Sequence, residues 1–559
     1  MQQFSGVGVS PGRVIGTVRQ MPRPVSEPPV GEPRTATADD ATGALRAASK
    51  SVQAELTRRA GAAVGNAKAV LEATALMAVD PMLIKSAVKL INGGASAERA
   101  AWDAASSVAE MLHNLGGYMA DRATDVLDVR ARLVAELRGV PAPGIPDSDV
   151  PFVLVAGDLA PADTATLDPS KVLALVTAGG GPQSHTAIIA RALGLPAVVA
   201  AVGVDDLADG TEVYVDGAAG SITVGPGATE VAAARAWATT AATLAVFDGN
   251  GSTADGHLVP LLANVGGAKD AGHAAEAGAQ GVGLLRTEFC FLGRELEPSL
   301  EEQVAAYRGV FDAFGGKKVV VRTLDAGADK PLPFLTDASE PNPALGVRGY
   351  RTDWTSPGVL ARQLAAIAAA AQGSDAQVWV MAPMIATAEE AAHFAAMCAT
   401  AGLETPGVMV EIPSAALTAE AIFGEVEFVS LGTNDLSQYT MAADRQLGPL
   451  AGLNNPWQPA VLMLIAATVA GSMAQGGGKP VGVCGEAAAD PALAVVLVGL
   501  GVSTLSMTPR ALAAVGAVLG SVTLAQAQDL AKTALAAPSA AEGKARVRAG
   551  LPILDELGI

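Results

Sequence analysis

Two patterns of apolar and polar positions divide the chain. From Ala38 to Arg138, Ala, Leu, Glu, Arg and Met dominate and Gly and Pro are few, which predicts a block of helices. The block ends at GVPAPGIPDSD, a Pro- and Gly-rich linker. From Val150 the pattern changes to short apolar runs broken by Gly, Pro and Asp. FVLVAGDL, KVLALVTAGGG, AVVAAVG and TEVYVDGAAGSITV read as strands with turns, and TAIIARALG as a helix between two of them. The first dozen residues read as a further short strand and turn, and a Pro-rich stretch runs from Met21 to Pro33. If that N-terminal strand completes the α/β unit, the helical block is an insertion in it.

A helical connector is expected from Ala228 to Val246. Beyond it, apolar runs ending at LANV, GLLRTE, VVVRTLD, LGVRGY, VMAPM, VMVEIP, FVSLGTND and VGVCGE alternate with helix-length segments. Eight strand–helix units over roughly 300 residues are the arithmetic of a TIM barrel, and an open doubly wound sheet is the alternative that periodicity leaves standing. The expected class is multidomain α/β: an α/β domain from residues 1–20 and 146–227, a helical insertion at 21–145, a linker at 228–250 and a (β/α)8 barrel at 251–559.

Composition narrows the chemistry. With 559 residues, 50% apolar and 17% charged, the chain is globular and large enough for several domains. A net charge of −19 speaks against a general nucleic-acid footprint and suits a soluble protein or a basic partner. Cys290, Cys398 and Cys484 form no C-x-x-C pair, so neither a disulfide framework nor a zinc cluster is expected, and a reducing cytoplasm fits. MQQFSGVGVSPG lacks a basic region followed by an apolar core. AVLMLIAATVAGSMA, from Ala460 to Ala474, is short for a membrane span and reads as a buried helix, so no membrane insertion is expected.

In a TIM barrel, reactive residues sit at the C-terminal ends of the strands. Those ends carry Asn264, Arg286, Arg322, Arg348, Met384, Glu411, Asn434 with Asp435, and Cys484. Arginine's planar fork matches phosphate and carboxylate oxygens, so a small ligand bearing both groups fits. Glu411 and Asp435 offer hard oxygens to Mg²⁺, or simply countercharges to the arginines. Cys484 is either a small buried apolar group or a proton donor to a carbanion-like carbon. His185, in AGGGPQSHTAIIARALGLPAVV, follows a Gly-rich turn at the expected start of a helix, where the dipole favours a phosphoryl group. His113, His257, His273 and His393 have no such surroundings.

Taken together, GGPQSHTAIIAR, GVGLLRTEFCFL, VVVRTLDAGADKPLP, NPALGVRGYR, MAPMIATAEE, VMVEIPSAA, SLGTNDLSQYTMAADR and VGVCGEAAADP resemble Enzyme I of the bacterial sugar phosphotransferase system, in that family's order across nearly the whole chain. The resemblance implies that His185 is phosphorylated by phosphoenolpyruvate and passes the group to the phosphocarrier HPr. It implies phosphoenolpyruvate contacts from Arg286, Arg322, Lys330, Arg348, Asn434, Asp435 and Arg445. Glu411 and Asp435 become Mg²⁺ ligands, and Cys484 the proton donor that yields pyruvate. The helical insertion becomes the HPr-docking domain, residues 1–20 with 146–227 the mobile phosphohistidine domain, and the barrel the dimerisation domain. Two positions depart from the family: Gln183 stands where a Thr precedes Ser-His, and Thr74 where a His often lies near the carrier interface. Pyruvate phosphate dikinases and phosphoenolpyruvate synthases share the histidine and barrel parts, but no Gly-rich nucleotide loop appears here. A degenerate binding relative would rest on Gln183 and Thr74 alone, and a TIM-barrel lyase would not need the GGPQSH loop.

Overall fold

The computed structural model describes every residue except 1, 23–24, 32–33, 63–65, 116, 143, 147, 158, 160–166, 182–183, 244–246, 327–331, 338, 446, 448–449, 451 and 477. The chain separates into two compact units, Met1–Ala234 and Arg235–Ile559.

In the first unit, β1 (Gln3–Ser5), β2 (Val7–Ser10) and β3 (Arg13–Gln20) precede five helices: α1 (Ala38–Ala62), α2 (Asn66–Ala78), α3 (Pro81–Asn92), α4 (Ala97–Leu115) and α5 (Gly117–Arg138). The sheet then resumes with β4 (Phe152–Ala156), β5 (Val172–Thr177), α6 (His185–Leu193), β6 (Ala197–Val199), β7 (Glu212–Asp216) and β8 (Ser221–Val224). Strand order is β1-β8-β7-β3-β4-β5-β6-β2. Thr17 of β3 lies beside Phe152 of β4 in a parallel ladder, so the helices are spliced between two neighbouring strands. Period-two alternation sorts β4 between two cores. Phe152, Leu154 and Ala156 face Ala187 and Ala190 of α6. Val153 and Val155 face Val18, Val213 and Val215. Among the helices, Ala100, Ala101, Ala104 and Ala105 of α4 are buried, and such small side chains let α4 and α5 pack closely. Asp80 caps α3 by accepting from the backbone N–H of Met82 and Leu83, with Pro81 in the first turn.

Helix α7 (Ala228–Thr243) spans the boundary between the units. Eight parallel strands follow: β9 (Leu261–Val265), β10 (Gly281–Arg286), β11 (Lys318–Arg322), β12 (Gln377–Ala382), β13 (Pro406–Val410), β14 (Phe428–Leu431), β15 (Val481–Val483) and β16 (Thr504–Met507). They close into a barrel, which excludes the open doubly wound sheet. Val498, Leu493 and Phe394 are among the buried side chains of the layer between barrel and outer helices. Pro459–Ala474 is a helix with Val461, Leu462 and Ile465 buried, as its apolar run suggested. No single helix among the described residues is long and apolar enough to cross a membrane.

The segment Leu345–Tyr350, expected as a strand, is not one. Leu345–Tyr350 joins no ladder; Arg348 is extended (φ −141°, ψ 165°) in the long connection between β11 and β12. Gly349 follows at φ +57°, where a Cβ would meet the Met384 side chain at 2.9 Å. The strand that closes the barrel is β16, which pairs Leu505 with Leu261. Its sequence, TLSM, has no apolar run because Ser506 points to a polar partner, Asn264.

The barrel interior alternates bulk and void. Phe428 and Trp379 pack with ring centroids 4.8 Å apart, beside Leu284, Val320, Met381, Met409 and Cys484. Gly407 makes this possible, since a Cβ there would fall 2.3 Å from the Phe428 ring. Gly407→Ala is therefore expected to destabilise the protein by about 1–3 kcal/mol, and Phe428→Leu in the same chain to recover part of that loss. Double-mutant denaturation measures the coupling; strictly additive costs would show that the two sites do not share space.

Candidate active site

Each unit carries one of the chemical features singled out from the sequence. In the first, strand β5 ends at Thr177, whose hydroxyl donates to the Gly179 carbonyl. Ala178 and Gly179 hydrogen-bond back to Ala156 and Gly157 beside β4, and Gly180 takes φ +83°. Ser184 then caps α6 by accepting from the Ala187 N–H at 3.3 Å, and His185 is the first helical residue. Gly194 (φ +67°) closes the other end. The histidine is thus set at the positive end of a helix dipole, as its motif suggested. Gln183 lies outside the described residues. Thr74 is buried in α2.

In the second unit, the strand ends converge. Arg322, the last residue of β11, donates to Glu288 at 3.0 Å and reaches Asp325 at 3.3 Å. Arg348 grips Asp325 with both Nε (3.1 Å) and Nη2 (2.8 Å), and its Nη1 donates to Asp435 at 3.0 Å and to Tyr439. Arg445 lies 3.9 Å from Asp435. Burial works against the charge on Asp325, but Arg348 and Arg322 outweigh it and hold the carboxyl below the usual carboxylate range.

Glu411, 1% exposed, accepts from the Met384 N–H at 2.7 Å. Met384 holds a left-handed backbone (φ +61°) to present that N–H, and such strain gathers at functional sites. Gly432 leaves room for the other carboxylate oxygen, which a Cβ would crowd to 2.9 Å. Burial, then the like charges of Asp435 and Asp325, push Glu411 up to about 8. No cationic side chain among the described residues pairs with it. A hard cation would relieve this crowding of carboxylates. No cluster of three or more His, Cys, Asp or Glu side chains suited to a metal occurs among the described residues, so Glu411 and Asp435 would have to be supplemented by water or ligand oxygens. Donors also remain for an anion. Arg322 Nε is buried without a partner among the described residues, and half-buried Arg286 has no hydrogen bond or ion pair there.

Cys484 follows β15, 3% exposed, with Sγ 3.6 Å from the Leu431 carbonyl. Burial pushes its thiol up, against the Ser430 hydroxyl and the charge of Arg322, so it stays protonated at neutral pH. Asn264 donates to the Cys484 carbonyl at 2.9 Å, and Asn434 accepts from the Glu486 N–H at 3.3 Å. These bonds tie the ends of β9, β14 and β15 together.

The barrel mouth thus assembles Arg322, Arg348, Glu411, Asp435 and Arg445, with Cys484 and Arg286 in electrostatic reach of one another. Lys330 lies outside the described residues. Sequence reasoning passed over Glu288, Asp325 and Tyr439, which bind the arginines. Their signal was their position: Glu288 two residues after Arg286, and Asp325 three after Arg322. It also passed over Gln363, whose side chain accepts from the Leu324 N–H and donates to Thr287, bracing both strand ends from behind.

This fold belongs to a class found in known proteins. The chain matches three family descriptions: "PEP-utilising enzyme, PEP-binding domain" over residues 243–524, "mobile domain" over 149–220 and "N-terminal" over 5–122. It is 53% identical to the phosphoenolpyruvate-protein phosphotransferase of Streptomyces coelicolor, over 98% of each chain. It is 40% identical to that of Haloferax volcanii, over 96% of this chain and 98% of the relative, and 36% to that of Staphylococcus carnosus, over 84% of each. The chain belongs to the phosphoenolpyruvate-protein phosphotransferase family, the Enzyme I family that its motifs resembled.

Asp325→Asn is expected to cost about 3 kcal/mol near neutral pH, because two buried guanidinium groups lose their shared countercharge. The folded pKa of Asp325 is depressed. Its contribution is therefore complete above the unfolded carboxylate value of about 3.9 and lost as pH falls through the folded value. Urea unfolding near neutrality and in strong acid tests this; a variant equally stable near neutrality would contradict it.

Proposed function

We propose that this enzyme takes the phosphoryl group of phosphoenolpyruvate onto His185 and passes it to the phosphocarrier HPr, releasing pyruvate. The observation that carries the reading is the barrel mouth: guanidinium donors without partners among the described residues, beside a buried carboxylate pair, at the strand ends of a phosphoenolpyruvate-binding family fold.

In this reading Arg286 and Arg322 hold the substrate's phosphoryl and carboxylate oxygens, with Lys330, Arg348, Asn434, Asp435 and Arg445 completing the pocket. Glu411 and Asp435 would hold Mg²⁺, which when bound would supply charge neutralisation for the substrate oxygens. His185 attacks phosphorus through Nε2; the bond from phosphorus to the enol oxygen breaks and the electron pair stays on enolpyruvate. The dipole of α6 stabilises the new phosphohistidine. Cys484 gives its proton to the methylene carbon and pyruvate leaves. Because His185 and the mouth belong to different units, the phosphohistidine unit must travel, and α7, which crosses from one unit to the other, is the hinge region. The helices α1–α5 receive HPr, and Gln183 tunes the speed or lifetime of the phosphohistidine. The barrel forms the homodimer, and exposed Trp354, Leu417 and Met463 offer apolar surface for it. The three free cysteines suit a cytoplasmic enzyme.

Incubation with labelled phosphoenolpyruvate and Mg²⁺ is expected to give an acid-labile, base-stable phosphoprotein that discharges to HPr. His185→Ala should carry no label; label persisting there would overturn the site. Cys484→Ala should lose roughly 10²-fold or more in turnover, the usual worth of a general acid, while phosphoenolpyruvate still binds. Full activity in that variant would remove the proton-donor role.

A further inference from the structure

TIM-barrel interiors are normally filled by branched apolar side chains. This one holds a lysine. Lys318 opens β11, at the opposite end of the strand from Arg322. It is half-buried, with Nζ 4.4 Å from the Trp379 ring centroid, and makes no hydrogen bond or ion pair among the described residues. Lys318 lines a cavity of ≈ 20 Å³ together with Ser430, Thr504, Ser506 and Trp379. That volume admits one water, and the hydroxyls and ammonium supply its partners. The space is built in by glycine: a Cβ at Gly283 would strike Ser506 at 2.4 Å, and one at Gly482 would meet Thr504 at 2.8 Å. Ser430 joins this cavity to the active site: it lines the cavity and immediately precedes Leu431, whose carbonyl accepts from the Cys484 Sγ at 3.6 Å, and its hydroxyl favours the thiolate of Cys484.

The proposed reaction leaves a difficulty that this arrangement answers. Each turnover removes a proton from a thiol that is almost wholly buried, and the resulting thiolate must be reprotonated before the next. We propose that Lys318, a water in the cavity and Ser430 form a proton relay that reprotonates Cys484 from the N-terminal face of the barrel. The inference rests on the reading of Cys484 as proton donor. The Cys484 S–H bond breaks as the C–H bond of pyruvate forms, and the thiolate keeps the electron pair. Ser430 gives its hydroxyl proton to sulfur and takes one from the water. The water takes one from the Lys318 ammonium, which recovers it from solvent. Lys318 is the ionisable residue lining the cavity, and burial pushes it down to about 8, so it gives up a proton near neutral pH. Arg322, Glu411 and Arg286 act on the thiol from the mouth side.

The test uses the full-length enzyme with phosphoenolpyruvate, Mg²⁺ and HPr. Single-turnover labelling of His185 needs no reprotonation, whereas steady-state pyruvate release does. Ser430→Ala and Lys318→Met are expected to leave single-turnover labelling and the KM for phosphoenolpyruvate within about twofold of wild type and to lower kcat about tenfold, part of the usual worth of a proton-transfer group. Ser430→Thr, which keeps the hydroxyl, should restore kcat. Lys318→Arg, which keeps the charge but cannot release a proton, should not. Wild-type kcat in Ser430→Ala or Lys318→Met, or full rescue by Lys318→Arg, overturns the relay. Cys484→Ala separates the two claims: if it turns over normally the proton-donor reading fails and the relay with it. If it is slow while Ser430→Ala and Lys318→Met are normal, the relay alone fails.

Discussion

A guanidinium keeps its charge even when buried, so burying one is costly unless carboxylates meet it, and Arg348 is the residue on which this barrel mouth depends. It is 5% exposed and reaches carboxylates from two distant parts of the barrel, Asp325 after β11 and Asp435 after β14. Burial works against its charge, and the paired carboxylates more than offset that cost. The long connection that carries Arg348 is thereby fastened across the barrel at one side chain. The same carboxylate, Asp325, also holds Arg322, so the position of one arginine sets that of the other.

The charged groups at the mouth are not all paired with one another. Arg322, Arg348 and Arg445 face Glu288, Asp325, Glu411 and Asp435, and Glu411 is left without a cationic partner among the described residues. Meanwhile Arg286 and the Nε of Arg322 keep donors unspent among the described residues. A site whose described residues leave a carboxyl group and guanidinium donors unpaired is complementary to an anion that brings a cation with it. That is the electrostatic signature of metal-assisted phosphoryl transfer.

The histidine needs a different setting. A phosphohistidine must be stable enough to carry and labile enough to give away, and the start of a short helix offers backbone N–H groups and a dipole without a fixed countercharge. Ser184 and Gly180 achieve this locally, within a few residues of chain. The arginine cluster, by contrast, draws on side chains more than a hundred residues apart, and so needs a closed barrel to exist at all.

That difference decides what could be read without coordinates. The histidine loop, most strand ends, the helical block and the family were legible because each depends on neighbours in sequence: a glycine turn, an apolar run, a cap, an ordered set of motifs. The strand at Leu345–Tyr350 was misread because an apolar run flanked by glycine resembles a strand whether or not a partner ladder is beside it. β16 was missed because closure of the barrel, and not apolar content, makes TLSM a strand. Glu288, Asp325 and Gln363 were passed over because their roles are to hold other residues, which only distance reveals. Lys318 and Ser430 stand furthest from the sequence's reach. A lysine at a strand start reads as a solvated charge until the closed barrel puts it, a cavity and Ser430 along one interior. The order of residues along the chain determined which groups and which family; the closing of eight strands decided which of those groups meet, because burial and charge pairing act through space.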